Sequence, residues 1–248
     1  MDIPRIFTIM ESRHRIHNPF TAAQFDTLGR ALYLEPEMSL LDLGSGSGEM
    51  LCTWARDFGI SGLGVDKCQL FSQQAQRRAE DLNVTHQVRF IHDDATGFVA
   101  RTKVDIAACI GATWIGGGVA GTIALLSQSL TPNGIILVGE PYWITPPTSK
   151  DAIAACGAET ASDFLLLPDL LRSFSDLGYD VVEMVLADRE GWDRYEAAKW
   201  FSMRRWLEEN PTDVLTPDIR ALLSSEPIAY AAYRRPHVGW GVFALMAR

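Results

Sequence analysis

The chain has 248 residues, 47% of them hydrophobic and 21% charged, which is enough apolar material for a sizeable core. Its net charge of −9 argues against a substrate gripped mainly through phosphates, such as DNA or bulk RNA. The four cysteines form no Cys-x-x-Cys pair and have no histidine at metal-ligand spacing, so they read as reduced, mostly buried thiols, and no metal is expected.

The first residues include Asp2 and Glu11 and no long apolar core, so they do not read as a secretory signal, and a cytoplasmic location is expected. Met1 to His17 reads as a short helix. A sharper start follows: Thr21 and Gln24 have capping-box spacing, with Phe20 and Phe25 at the positions of a hydrophobic staple. That helix is expected to run to about Leu34 and end before Pro36. His14, His17 and Asn18 lie just before the cap. They are candidates for the site or for stabilising the turn.

Leu40-Leu41-Asp42-Leu43 then meets Gly44-Ser45-Gly46-Ser47-Gly48-Glu49, and Met50 to Phe58 reads as helix stopped at Gly59. Strand, glycine loop and helix in this order present backbone N–H groups to a nucleotide-like ligand. A dinucleotide fingerprint wants a third glycine where Glu49 stands. A carboxylate there is a poor neighbour for a pyrophosphate. An NAD-dependent oxidoreductase is therefore the weaker reading of the loop, and a phosphate-free ligand the stronger.

The motif Leu41-Asp42-Leu43-Gly44-x-Gly46-x-Gly48 resembles the first motif of class I S-adenosylmethionine-dependent methyltransferases. The resemblance implies an α/β, Rossmann-like, seven-stranded and mostly parallel sheet with helices on both faces. It also implies S-adenosylmethionine as cofactor, with Asp42, Gly44, Ser45 and Gly46 among the residues that bind it.

Ser61 to Val65 reads as a second strand ending at Asp66, about twenty residues beyond the loop, where an acid can accept hydrogen bonds from ribose hydroxyls. A helix-capping role is the alternative for Asp66. Leu70 to Leu82 reads as a polar helix, and Val88 to Ile91 as the third strand. The family places an adenine-binding acid just after this strand, beside a backbone N–H. Asp94 with Ala95 fits best and Asp93 is the near alternative.

Val104 to Ile110 reads as the fourth strand, with Ile110 at the cofactor end and Trp114 just beyond. Trp114 is expected either to face the substrate or sulfonium or to anchor the core. Ile106 to Ser129 carries no charge, yet Gly116-Gly117-Gly118 interrupts it, so strand, loop and buried helix are expected rather than a membrane span. Helix is expected over Val119–Leu130, a turn at Leu130-Thr131-Pro132-Asn133-Gly134 with Gly134 at positive φ, and a fifth strand over Ile135–Glu140. The Leu-x-Pro-x-Gly turn before a buried strand again resembles the class.

Glu140, Tyr142 and Trp143 leave that strand at the sheet's carboxyl edge, a natural substrate wall. Helix is expected over Lys150–Phe164 and Leu165–Leu177, and a sixth strand over Tyr179–Leu186. Residues 187–236 read as a helical insertion, rich in aromatics, and Gly239 to Met246 as the last strand. The class inserts that strand antiparallel between the fifth and the sixth.

The expected organisation is an N-terminal helical cover (1–35), a cofactor-binding core (36–186 and 237–248) and a possible cap (187–236). The implied activity is methyl transfer to a small organic acceptor by in-line displacement, with no nucleic acid or membrane partner. A non-catalytic cofactor-binding module is a further alternative. Candidate bases are His17, Glu140, Tyr142 and Tyr195, and candidate substrate contacts are Trp114, Trp143 and Trp192.

Overall fold

The computed structural model describes residues 3–248; Met1 and Asp2, the first residues of the expected N-terminal helix, lie outside it. Contacts divide the chain into two units. A sheet unit comprises Thr21–Glu140, Leu171–Leu186 and Trp240–Arg248. A helical unit comprises the residues up to Phe20, Pro141–Leu170 and Ala187–Gly239.

The sheet has seven strands: β1 (Ser39–Leu43), β2 (Ser61–Asp66), β3 (Val88–His92), β4 (Val104–Ile110), β5 (Leu130–Trp143), β6 (Tyr179–Leu186) and β7 (Val238–Ala247). Their order is β3-β2-β1-β4-β5-β7-β6. The first five pair in parallel wherever they meet, and β7 runs antiparallel to β6. The last strand is thus inserted between the fifth and the sixth, as the resemblance implied. Leu40, Leu41 and Leu43 in β1 and Ile136, Leu137 and Val138 in β5 are almost wholly buried. Such unbroken apolar runs belong to parallel strands covered on both faces. The strand order reverses between β1 and β4, which makes the carboxyl end of β1 the switch point where α/β sheets bind ligands.

In the sheet unit, α2 (Ala22–Ala31) opens with the expected capping box. Thr21 Oγ1 accepts the Gln24 N–H at 3.2 Å, and Gln24 Oε1 accepts the Thr21 N–H at 2.9 Å. Next come α3 (Glu49–Phe58), ended by left-handed Gly59, and α4 (Gln69–Asp81). A Cβ at Gly62 would stand 2.2 Å from Leu51 of α3, so the strand is bare there to let the helix approach. The connection from Asp93 to Lys103 contains no helix, whereas α5 (Val119–Ser127) follows β4.

The fold departs locally from the sequence expectation at two places. β5 begins at Leu130, so no free turn precedes it. Val104 pairs with Leu130 and Ile106 with Ile135, which leaves a wide irregularity on β5. Gly134 is not at positive φ. A Cβ there would meet Leu130 Cδ2 at 2.7 Å, so close approach, not handedness, requires the glycine. The other concerns Lys150–Phe164, where only α6 (Lys150–Ala155) forms, because Gly157 takes φ 83° and breaks the helix. α7 (Leu167–Asp176) follows it.

The helical unit holds α1 (Arg5–Glu11), α6, α8 (Arg189–Glu209) and α9 (Thr216–Ala229). Asp188 caps α8 by accepting the Gly191 N–H at 2.6 Å. α8 packs against both α1 and α9, which is why its apolar residues do not form one narrow stripe. Ile9, Met203, Leu207 and Ile219 form one core there, and Trp143, Cys156, Ala158 and Val238 another. Among the described residues, no helix is long and apolar enough to cross a membrane.

Candidate active site

The glycine loop follows β1 in the sheet unit, and Gly44, Gly46 and Gly48 all have positive φ, at 78°, 52° and 71°. Val65 C=O accepts the N–H groups of Gly44 (2.8 Å) and Ser45 (3.2 Å), which ties the loop to the end of β2. Asp66 completes that tie: Oδ2 accepts the Gly46 N–H at 2.8 Å and Oδ1 accepts the Cys68 N–H at 2.8 Å. Each carboxylate oxygen has a further lone pair.

Asp42, in β1, is buried, and no hydrogen bond or ion pair engages its carboxyl among the described residues. Burial, and then the charge of Asp66, push it up to about 7. An unpartnered buried acid beside a half-buried one fits a ligand that brings hydroxyl or ammonium donors. Glu49 is not a bare anion at this loop. Its Oε2 lies 3.1 Å from Arg78 Nε, and the Arg78 guanidinium also donates to the Ser47 carbonyl.

After β3, Asp93 Oδ1 accepts the Asp94 N–H at 2.8 Å, and Asp94 Oδ1 accepts the Thr96 N–H at 2.9 Å. The Thr96 backbone bond is the main cause that holds the Asp94 carboxyl below its usual range. Each of the two carboxylates thus has one oxygen in the turn and one left over. Ala95 is buried, and its N–H meets no acceptor among the described residues. The Asp94 carboxylate and the Ala95 N–H are an acceptor and a donor on adjacent residues.

β4 ends at Ile110, whose register partner is Gly139 of β5. Glu140 follows and is largely buried. Its Oε2 accepts the Thr113 hydroxyl at 2.9 Å, and burial raises the carboxyl to about 7 against that bond. Trp114 is 55% exposed, with Lys67 Nζ 3.8 Å from its ring centroid. The core-anchor reading of Trp114 is therefore set aside. Lys67 and Thr113 were absent from the sequence candidates, since one lysine after an acid and one threonine in a glycine-rich loop give no pattern.

In the helical unit, Glu11 is almost wholly buried and gathers polar partners. Its carboxylate accepts the Tyr195 hydroxyl at 2.9 Å and the His17 Nδ1–H at 3.1 Å, with Lys199 Nζ at 3.8 Å. Burial is the largest influence and pushes Glu11 up. The His17 bond and the Lys199 charge outweigh it and hold the carboxyl below its usual range. Burial and then Glu11 raise the Tyr195 phenol well above its ordinary value. Tyr195 is therefore a donor here, not a base.

His14 Nε2–H donates to the Tyr195 carbonyl at 3.0 Å, while its buried Nδ1 makes no hydrogen bond. Asn18 Oδ1 accepts the Phe20 N–H at 3.0 Å and so stabilises the turn. Glu11 was the residue missed, although Glu11-x-x-His14-x-x-His17 is legible as a spacing.

The aromatic candidates of this unit divide. Trp143 is 2% exposed, and its indole N–H donates to Ala161 C=O at 2.8 Å, so the ring is spent on packing. Tyr142 is buried against Gly239, where a Cβ would stand 2.3 Å from its ring, and burial raises its phenol. Trp192 keeps a buried indole N–H without a partner and meets Tyr195 edge-on at 6.3 Å. Among the described residues, no group of three or more His, Cys, Asp or Glu side chains is placed to hold a metal ion.

Residues 40–134 match a family described as a methyltransferase domain. The chain is 62% identical to YjhP of Escherichia coli (strain K12) over 248 residues, the full length of both. A structure of a SAM-dependent methyltransferase from Geobacter sulfurreducens, in complex with S-adenosyl-L-homocysteine, is 65% identical. It superposes with a TM-score of 0.98 over 100% of this chain and 99% of that one. The SAM-dependent methyltransferase from Thiobacillus denitrificans, also in complex with S-adenosyl-L-homocysteine, is 66% identical. Its TM-score is 0.98 over 100% of each chain. The sheet order, the loop and these full-length matches together place the chain in the class I S-adenosylmethionine-dependent methyltransferases.

Proposed function

We propose that this methyltransferase binds S-adenosylmethionine in the sheet unit and methylates a small organic acceptor by in-line displacement. The observation that carries the reading is the acid pair at the switch point. Asp42 is buried without a partner, and Asp66 keeps outward lone pairs while holding the loop. Asp66 is assigned to the ribose hydroxyls, and Asp94 with the Ala95 N–H to the adenine edge. Asp42, Gly44, Ser45, Gly46 and Ile110 are assigned to the amino-acid end. Relatives of 65% and 66% identity crystallised with S-adenosyl-L-homocysteine support the cofactor.

When bound, the sulfonium cofactor supplies both the methyl group and the leaving group. The protein's part is to hold the nucleophile in line and to receive its proton where it arrives protonated. Glu140 is assigned as that base, because a carboxyl poised near 7 takes a proton at neutral pH and can give it up again. Thr113 orients it.

Trp192 is kept as a candidate acceptor contact, since its buried indole N–H has no partner, whereas Glu11, His17 and Tyr195 are engaged with one another. A small acceptor is favoured over a nucleic acid by the net charge of −9.

The test is incubation of the purified protein with isotope-labelled methyl donor and a metabolite extract, read by mass spectrometry. A labelled small product is expected. Cofactor binding with label found only on macromolecules would overturn the acceptor class. Absence of heat with both S-adenosylmethionine and S-adenosylhomocysteine in calorimetry would overturn the cofactor assignment.

A further inference from the structure

We propose that the sheet face opposite α3 and α4, between β2 and β3, is a second ligand site that takes a small organic monoanion with an apolar body. The argument begins with register. Leu41, Leu63 and Arg89 are lateral partners on β1, β2 and β3, so they share one face, and Ile91 lies two residues further along it. The opposite face is covered: Gly62 lies against Leu51 of α3, and Phe90 against Gly48 and Gly64. A parallel sheet ordinarily has both faces covered. Here the connection from Asp93 to Lys103 contains no helix, and the Leu63–Ile91 face stays half-exposed.

The result is a cavity of about 620 Å³, floored by Leu41, Leu63 and Ile91 and bounded by Phe98. That volume is in the range of small-molecule sites. Arg89 and Arg101 also line it; both are exposed, and neither has an ion pair or hydrogen bond among the described residues. Asp93 is the one acid among the lining residues, and its carboxylate is engaged with the Asp94 N–H. Two arginines and one aspartate leave one positive charge, on a protein whose total is −9. The lining is thus locally positive on an acidic protein, which favours an anion over a cation here. A lining guanidinium suits a planar or tetrahedral oxyanion head, and the floor suits an aromatic or aliphatic body. The glycine loop and Asp66 do not line this cavity. In register Asp66 shares the other face, so occupancy here leaves the cofactor loop open.

The probe is 1-anilinonaphthalene-8-sulfonate, an apolar body with one anionic head, titrated by fluorescence with and without saturating S-adenosylhomocysteine. One molecule per chain is expected to bind in both conditions. Arg89→Gln with Arg101→Gln should weaken it at least about tenfold, while Arg89→Lys with Arg101→Lys retains most of the affinity. The uncharged analogue N-phenyl-1-naphthylamine should bind weakly and equally to both proteins. Circular dichroism confirms folding. If the double variant fails to fold, Arg101→Gln alone carries the test, with the same direction and a smaller loss. Displacement by S-adenosylhomocysteine, affinity indifferent to the arginines, or no saturable binding would each overturn the proposal.

Discussion

The Asp66 carboxylate accepts the Gly46 amide at 2.8 Å, so the acid that ends β2 also holds the loop that follows β1. Its other oxygen starts the segment leading into α4 through Cys68. Asp66→Ala is expected to weaken S-adenosylhomocysteine binding by about 1–3 kcal/mol, since it leaves ribose hydroxyls and a loop N–H without their acceptor. Asp66→Asn keeps one acceptor oxygen and should lose less. Calorimetry on folded variants checks both. An unchanged dissociation constant for Asp66→Ala would refute the ribose assignment.

Gly48 and Gly117 share nearly the same backbone, with φ of 71° and 76°, but differ in their surroundings. A Cβ at Gly48 would stand 2.6 Å from Phe90 and 2.8 Å from Ala75, whereas nothing lies within 4 Å at Gly117. Gly117→Ala therefore measures handedness alone, about 1 kcal/mol. Gly48→Ala adds overlap and should cost roughly 1–3 kcal/mol more. Urea unfolding of the two variants gives the difference. Equal costs would mean that Phe90 yields freely.

Asp42 makes stability depend on pH in a direction opposite to that of most carboxylates. Its folded value is raised from 3.8 to about 7 by burial and by Asp66. The protonated form stabilises the fold fully below about 4, and that contribution disappears as pH rises through about 7. Asp42→Asn removes the charged form. It should raise stability at pH 8 by roughly 1–3 kcal/mol and flatten the decline between about pH 4 and 7. Thermal melts across that range read it. A decline as steep as the parent's would assign the effect to another group.

Most of the sheet unit was legible in the sequence because each signal there is local. Gly59 stopping α3 and the Thr21–Gln24 box depend on neighbours in the chain, and the Asp66 tie to Gly46 spans only 20 positions. Gly134 misled because positive φ and close approach leave the same mark in a sequence. Only the Leu130 side chain 2.7 Å away tells them apart. Trp114, in the turn after β4, and Trp143, at the end of β5, are the same residue type just past or at a strand's carboxyl end, yet one is exposed and the other buried. Their environments come from chain segments distant in sequence. The Glu11–Tyr195 bond spans 184 positions, which no local pattern reports.

Glu11 produces the ordinary acid dependence. Its folded value is held below the usual range, so its stabilisation is present above about 4.5 and is lost as pH falls through the folded value. Glu11→Gln breaks a buried charge cluster and should cost about 3 kcal/mol at pH 7, with a flatter acid limb below pH 4.5. Lys199 keeps Glu196 at 3.0 Å, which limits the loss. Tyr195→Phe removes one bond to a charged acceptor and should cost about 1.5–3 kcal/mol. Denaturant midpoints at pH 7 and pH 4 separate the two variants.

Glu140→Gln tests the chemistry with the fold left in place. Glutamine retains an oxygen for the Thr113 hydroxyl but cannot take a proton at neutral pH. For an acceptor that arrives protonated, kcat should fall by about 10²–10⁴, with S-adenosylhomocysteine affinity unchanged. The parent enzyme should lose rate about tenfold per unit as pH drops below about 7, since burial holds the carboxyl protonated there, and should level off above it. The variant should lack that break. A break retained in Glu140→Gln would move the base to another residue, and His17, held by Glu11, is the next to substitute.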